Sequence, residues 1–199
     1  MNIVCLDMEG VVVPEIWIAF AEVTGIPEFR RTTRDEPDYD KLMKWRIELL
    51  KKHGLGFKEI EETIEKIDPL PGAKEFLDEL RKVTQVIILS DTFYQFGMPL
   101  MKKLGLPTLF CNDLVIGEDG MIADYKMRCE QSKLTTVRGL QAMGFETIAA
   151  GDSYNDLGMI GASKAGFLFR TTDKIKQDYP QYPAFEEYDE FLAAIKAAL

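Results

Sequence analysis

The sequence has one histidine, His53, and three cysteines, Cys5, Cys111 and Cys129, in 199 residues. His53 falls in a polar stretch after a helical pattern, which speaks against a Ser-His-Asp hydrolase or a His-ligated zinc centre. Three cysteines leave one over in any pairing, and none stands in a C-x-x-C spacing. Such usage is expected of a reduced, cytoplasmic chain. No unbroken run of about 18 apolar residues occurs, so no transmembrane helix is expected. The first ten residues carry Asp7 and Glu9 and no basic cluster, and are not read as a secretory signal. Positive charge is also scarce: 24 Lys and Arg against 33 Asp and Glu, a net −9. That excludes a nucleic-acid binder working by phosphate neutralisation and a basic membrane-surface module. Hydrophobic residues at 46% and charged residues at 29% are ordinary for a globular domain, which excludes disordered and low-complexity classes. Any catalytic chemistry then falls to carboxylates, lysine, serine or arginine.

Short apolar runs that stop abruptly at a polar residue recur along the chain. Ile3–Leu6 ends at Asp7, Val86–Leu89 at Ser90, and Thr147–Ala150 at Gly151 and Asp152; Ala165–Phe169 is a weaker fourth run. Such runs read as buried parallel strands. Helical patterns lie between them, roughly over 72–82, 94–104, 131–143, 154–160 and 187–198. The alternation predicts an α/β fold with a parallel sheet, in which ligands bind at the carboxyl ends of the strands. The segment 14–70 breaks the rhythm. It predicts helices over 15–24, with Ile16, Phe20 and Val23 on one face, over 38–53, with Leu42, Trp45, Leu49 and Leu50 inward, and over 57–67. This is a small helical subdomain inserted after the first strand. Leu114–Ala123 reads as a hairpin with Asp119-Gly120 at its turn, either rimming the site or serving an interface.

The polar strand ends carry the chemistry. Asp7 and Glu9 leave the first strand two residues apart. One suits a nucleophile and the other an acid/base, and two anionic groups so close call for a cation held by oxygen ligands, such as Mg²⁺. Alone, the pair reads more readily as a polar strand end with a helix cap. Ser90, with Asp91 and Thr92 before a helix, offers a hydroxyl and free N–H groups to an anion, or simply an N-cap. Lys133 opens a helix and supplies a positive charge if it turns inward. In Gly151-Asp152-Ser153-Tyr154-Asn155-Asp156, the two aspartates four apart would share a helix face, an arrangement unfavourable without a cation.

In this order, Asp7-x-Glu9-Gly10, Ser90, Lys133 and Gly151–Asp156 resemble the four motifs of the haloacid dehalogenase superfamily of phosphotransferases, over nearly the whole chain. The resemblance implies an α/β, Rossmann-like parallel sheet with helices on both faces. It implies a core domain of 1–13 and 70–199 and a helical cap of 14–69. Within the superfamily the chain is similar to phosphoserine phosphatases, through Glu15 and the run Tyr39–Leu50. By that similarity Arg46 would fork the carboxylate of O-phospho-L-serine and Glu15 would take its ammonium. Asp7 would be the nucleophile and Glu9 the acid/base. Mg²⁺ would sit among Asp7, the main-chain carbonyl of Glu9, Asp152 and Asp156. Ser90, Asp91, Lys133 and Asn155 would hold the phosphate.

Glu9 in place of the usual Asp, and Asp91-Thr92 in place of glycines, are similar to a branch that also passes the phosphoryl group to L-homoserine. Only small-molecule partners are expected, with no nucleic acid and no membrane; a homodimer is left open. Two competitors remain: the same chemistry on another phosphomonoester, such as a sugar phosphate or nucleotide, and a non-catalytic protein that retained the fold. The Glu15–Arg46 pair argues against the first. Intact Asp7, Lys133, Asp152 and Asp156 argue against the second.

Overall fold

The computed structural model describes residues 1–32, 35–36 and 38–199. The chain opens with β1 (Asn2–Asp7), followed by α1 (Ile16–Thr24), a 3₁₀ turn (Pro27–Arg30), α2 (Tyr39–Lys52) and α3 (Phe57–Ile64). It continues through α4 (Ala73–Arg81), β2 (Gln85–Phe93), α5 (Tyr94–Lys103), β3 (Thr108–Ile116), β4 (Ile122–Lys126), α6 (Ser132–Ala142) and β5 (Glu146–Gly151). A second 3₁₀ turn (Tyr154–Asp156) leads into α7 (Leu157–Ala162), then β6 (Ala165–Phe169), α8 (Asp173–Asp178), β7 (Ala184–Phe185) and α9 (Tyr188–Ala198).

The strands form one sheet in the order β4-β3-β2-β1-β5-β6-β7, parallel except for the β3–β4 pair. Side chains alternate across the pleat and so build two cores. Val4 and Leu6 of β1, Val86 and Ile88 of β2, and Ile148 and Ala150 of β5 pack on the face of α4, α9 and the helices between β1 and α4. Ile3 and Cys5, Ile87 and Leu89, and Ala149 pack on the opposite face with Val137 and Leu140 of α6 and Met159 and Ile160 of α7. Asp7 follows the phase of Ile3 and Cys5, so it leans toward the layer that contains α6. Register sets Asp7 beside Leu89 and Leu6 beside Ala150, but β2 does not stop at Ser90 as expected: it runs on to Phe93 past a register shift after Leu89.

The expected helical segment after β1 is present, with two differences. Val23 is 45% exposed, because α1 buries Ile16, Trp17, Phe20 and Ala21 instead. The third helix stops at Ile64 rather than running to Ile67. The expected 154–160 helix is a 3₁₀ turn that becomes α-helical at Leu157. The hairpin is longer than its apolar core indicated: β3 starts at Thr108 and β4 runs to Lys126, while Gly120 takes the positive φ of 76° at the turn. It leans on the helical segment. Phe57 N donates to Gly120 O at 2.8 Å, and Tyr125 donates to Asp40 at 2.8 Å with its ring edge-on to Tyr39. β7 and α8 have no counterpart in the apolar periodicity, because each is short and mostly exposed. Among the described residues no helix is long and apolar enough to cross a membrane.

The aromatic stack beneath β6 anchors α9: Phe191 lies 4.6 Å from Phe169 and 5.1 Å from Phe76, ring to ring, and is fully buried. Phe191→Ala is expected to cost about 3–5 kcal/mol by leaving a cavity there. Urea unfolding of the variant, read against the parent chain, checks the value.

Candidate active site

A buried lysine brings the strand ends together. Lys133, in the first turn of α6, is 4% exposed. Its Nζ lies 2.8 Å from Asp7 Oδ1 and 2.6 Å from Asp156 Oδ1. The Met8 N–H also donates to Asp7 Oδ1, at 2.7 Å, so both of these donors engage one carboxylate oxygen. Burial disfavours the charge on Lys133, yet Asp156, Asp7 and Asp91 outweigh it and hold the ammonium protonated well above the ordinary lysine value.

Asp152 completes the group. Oxygens of Asp7, Asp152 and Asp156 all lie within 4.8 Å of one another. Asp152 and Asp156 meet because the chain folds back, not because they share a helix face: Asp156 Oδ2 accepts the N–H groups of Asp152 and Ser153, both at 3.0 Å. Two glycines make room. A Cβ on Gly151 would stand 2.2 Å from Asp156 Cγ, and one on Gly10, at φ +76°, would stand 2.5 Å from Asp152 Oδ2. Burial and the Asp156 charge raise Asp7 well above the usual carboxylate value and Asp152 to about 6. With all three carboxylates ionised against one ammonium, the group would carry two surplus negative charges. Hard oxygen donors with that surplus fit a divalent cation such as Mg²⁺.

Glu9 points elsewhere. Its Oε2 accepts the Ile16 N–H, the first of α1, at 2.9 Å, doing what the side chain of Glu15 at the N-cap does not. Burial, the charge of Glu15 and a hydrogen bond with it raise Glu9 to about 8, against the Ile16 N–H and Arg46. Arg46 of α2 is 5% exposed and lies flat on Trp17, 4.4 Å from guanidinium to ring centroid. Its Nη2 donates to Arg31 O at 2.8 Å, while its buried Nε has no partner among the described residues. Burial lowers Arg46 to about 10, countered by Tyr39, Glu9 and Glu15, so it is a cation at neutral pH.

Ser90 is buried, and its Oγ accepts the Thr92 N–H at 3.1 Å. Asp91 spends its carboxylate on neighbours: Oδ1 accepts from Ser132 Oγ at 2.8 Å and Oδ2 from Asn155 Nδ2 at 3.1 Å. A donor to an anion from Asp91 is therefore its main-chain N–H. Asn155 accepts from Ser153 through Oδ1, which fixes its amide and leaves it one N–H. The expected residues thus form two adjoining groups. Asp7, Ser90, Asp91, Lys133, Asp152, Asn155 and Asp156 stand at the strand ends, and Glu9, Glu15 and Arg46 stand under α1 and α2. Trp17 beneath Arg46, and Ser132 and Asn112 beside Asp91, were not singled out in the sequence. Their partners lie on other elements, so no local spacing marks them.

Known proteins resemble this chain in sequence and in fold. The model of a haloacid dehalogenase-like hydrolase family matches residues 1–164. A protein of Pseudomonas syringae pv. tomato named phosphoserine phosphatase is 50% identical over 190 residues, 96% of this chain and 80% of its own length. Phosphoserine phosphatase ThrH of Pseudomonas aeruginosa is 48% identical over 203 residues, 100% of this chain and 99% of its own. Among solved structures, a substrate-bound phosphoserine phosphatase complex superposes with a TM-score of 0.78 at 21% identity, covering 97% of both chains, which speaks to the fold. A phospho-aspartyl intermediate analogue of phosphoserine phosphatase gives 0.77 at 22%, covering 97% of this chain and 98% of the other. With its Asp7–Lys133–Asp156 bridge and a family match over most of its length, the chain belongs to the haloacid dehalogenase-like hydrolases.

Proposed function

We propose that this protein is a Mg²⁺-dependent phosphoserine phosphatase that works through an aspartyl phosphate on Asp7 and also passes the phosphoryl group to homoserine. The observation that carries the substrate is Arg46: a guanidinium 95% buried, stacked on Trp17, with an unpartnered Nε–H. A buried N–H is costly to leave unmade, and an α-carboxylate accepts from it. Glu15, close enough to act on Arg46 electrostatically, places an acidic group nearby for the α-ammonium. The names of the two Pseudomonas relatives support the same substrate. Residues 14–69 then act as a cap over the amino-acid end of the substrate, and 1–13 with 70–199 form the core.

In this reading Asp7 attacks phosphorus through the oxygen that Lys133 and the Met8 N–H do not hold. The P–O bond to serine breaks, and Glu9 delivers a proton to the departing serine oxygen. Glu9 then takes a proton from the incoming water or homoserine hydroxyl, whose oxygen attacks the aspartyl phosphate and frees Asp7. Lys133, Ser90 and the N–H groups at Asp91 hold the phosphoryl oxygens, with Asn155 contributing its free N–H. Asp7, Asp152, Asp156 and the Glu9 carbonyl would hold Mg²⁺, which neutralises charge on the phosphoryl oxygens. Glu9, one methylene longer than Asp, shifts the base toward an alcohol acceptor.

The central test is incubation with phosphoserine and Mg²⁺, with and without homoserine. Inorganic phosphate and phosphohomoserine are scored, and Asp7→Asn serves as control. Phosphate-labelled protein in the parent and none in the control is expected; absence of label in both, or strong preference for another phosphomonoester in a substrate panel, overturns the reading. Arg46→Ala is expected to raise KM for phosphoserine by about 10–100-fold, the loss of a charge-assisted hydrogen bond. The loss on p-nitrophenyl phosphate, which has no α-carboxylate, should be at least tenfold smaller. Glu9→Asp should lower the ratio of transfer to hydrolysis; an unchanged ratio removes Glu9 from acceptor choice.

A further inference from the structure

Asp91 carries four hydrogen bonds from four separate elements. Besides Ser132 and Asn155 on its carboxylate, its main-chain carbonyl accepts from Tyr39 Oη at 3.1 Å and from Asn112 Nδ2 at 2.9 Å. Ser132 immediately precedes Lys133, and Asn155 immediately precedes Asp156. One carboxylate therefore pins both segments whose next residues form the buried Lys133–Asp156 contact. The start of α6 needs such help. Its N-cap, Gln131, sits at φ 44° and gives no side-chain cap, so the first turn, which contains Lys133, has no local cap. A carboxylate bonded to Ser132 at this end also suits the positive pole of the helix. Arg128 holds the same turn from outside, through Ser132 O and Thr136, and its own N–H is taken by the buried Asn112.

The fourth bond comes from the helical segment. Tyr39 opens α2 and stands seven residues before Arg46, on the same face of that helix. The helix that presents the guanidinium thus also touches the strand end beside Lys133 and Asn155.

We propose that Asp91 is a positioning residue that sets the Lys133 turn and the Asn155 amide, and that couples them through Tyr39 to the helix that carries Arg46. This rests on the phosphoryl-transfer reading above. The carboxylate forms no bond to the substrate; it satisfies Ser132 and Asn155 so that Lys133 and the remaining Asn155 N–H are aimed before the substrate arrives.

The test compares Asp91→Ala, Asp91→Asn, Tyr39→Phe and the Asp91→Ala/Tyr39→Phe double variant on phosphoserine and on p-nitrophenyl phosphate, with thermal melting recorded for each. Asp91→Ala is expected to lower kcat on both substrates by on the order of 10²-fold, the scale of a small misplacement of catalytic groups, with a lesser change in KM. Asp91→Asn keeps the shape and one acceptor oxygen and should recover part of kcat. Tyr39→Phe, which keeps the ring against Tyr125, should lose more on phosphoserine than on p-nitrophenyl phosphate. Its effect should shrink in the Asp91→Ala background, since coupled groups are not additive. A kcat for Asp91→Ala within about twofold of the parent, or a lowered melting temperature as its only change, overturns the positioning role. Full additivity with Tyr39→Phe overturns the coupling. A parent chain active on p-nitrophenyl phosphate but not on phosphoserine removes the substrate reading alone, and the Asp91 comparison is then decided on the former.

Discussion

The site depends on one buried ammonium. Lys133 lies between Asp7 and Asp156 with almost no access to water, and each carboxylate is itself buried. Isolated in that interior, any of the three charges would be expensive; removing one partner of such a group typically costs about 3–5 kcal/mol. The bridge therefore holds the ends of β1 and β5 and the start of α6 in one arrangement. It does not balance the charge, because Asp152 adds a third carboxylate to the cluster. The remaining negative charge suits a divalent cation, as the proposed function requires. If the proposed function holds, a chain of net −9 meets a phosphorylated ligand through local charge rather than its total.

Around that centre the fold separates two tasks. The β1–β2 and β1–β5 registers set Asp7, Ser90 and Gly151 close to one level across the sheet. The helices between β1 and α4 carry a second group, in which Glu9 caps α1 and Arg46 rests on Trp17. The β3–β4 hairpin leans against that helical segment through Gly120 and Tyr125, so it borders the site from the far edge of the sheet. Tyr39 stands where all three regions meet, its hydroxyl on Asp91 and its ring against Tyr125.

Glu9 shows how much a local motif leaves unsaid. Two residues after Asp7, it invites reading as a second carboxylate on the same cation. Its side chain instead turns to the N-terminus of α1 and to Glu15, and burial there raises it to about 8. Asp152 and Asp156 make the complementary point: their spacing suits a helix, yet their approach comes from a 3₁₀ turn that wraps two N–H groups around Asp156.

The amino-acid sequence by itself determined the alternation of strands and helices, the interruption after β1 and the polar residues closing β1 and β5. Each is written in nearest-neighbour periodicity, which burial on one or both faces enforces. It did not show that β2 continues through Ser90 to Phe93. Only the tertiary structure decided that Lys133 turns inward, that Asp91 spends its carboxylate on Ser132 and Asn155, and that Arg46 stacks on Trp17 with one N–H unmet. Those contacts join residues far apart in the chain and on different elements. No periodicity encodes them, because they arise from desolvation and charge pairing that exist only once the sheet and helices have packed.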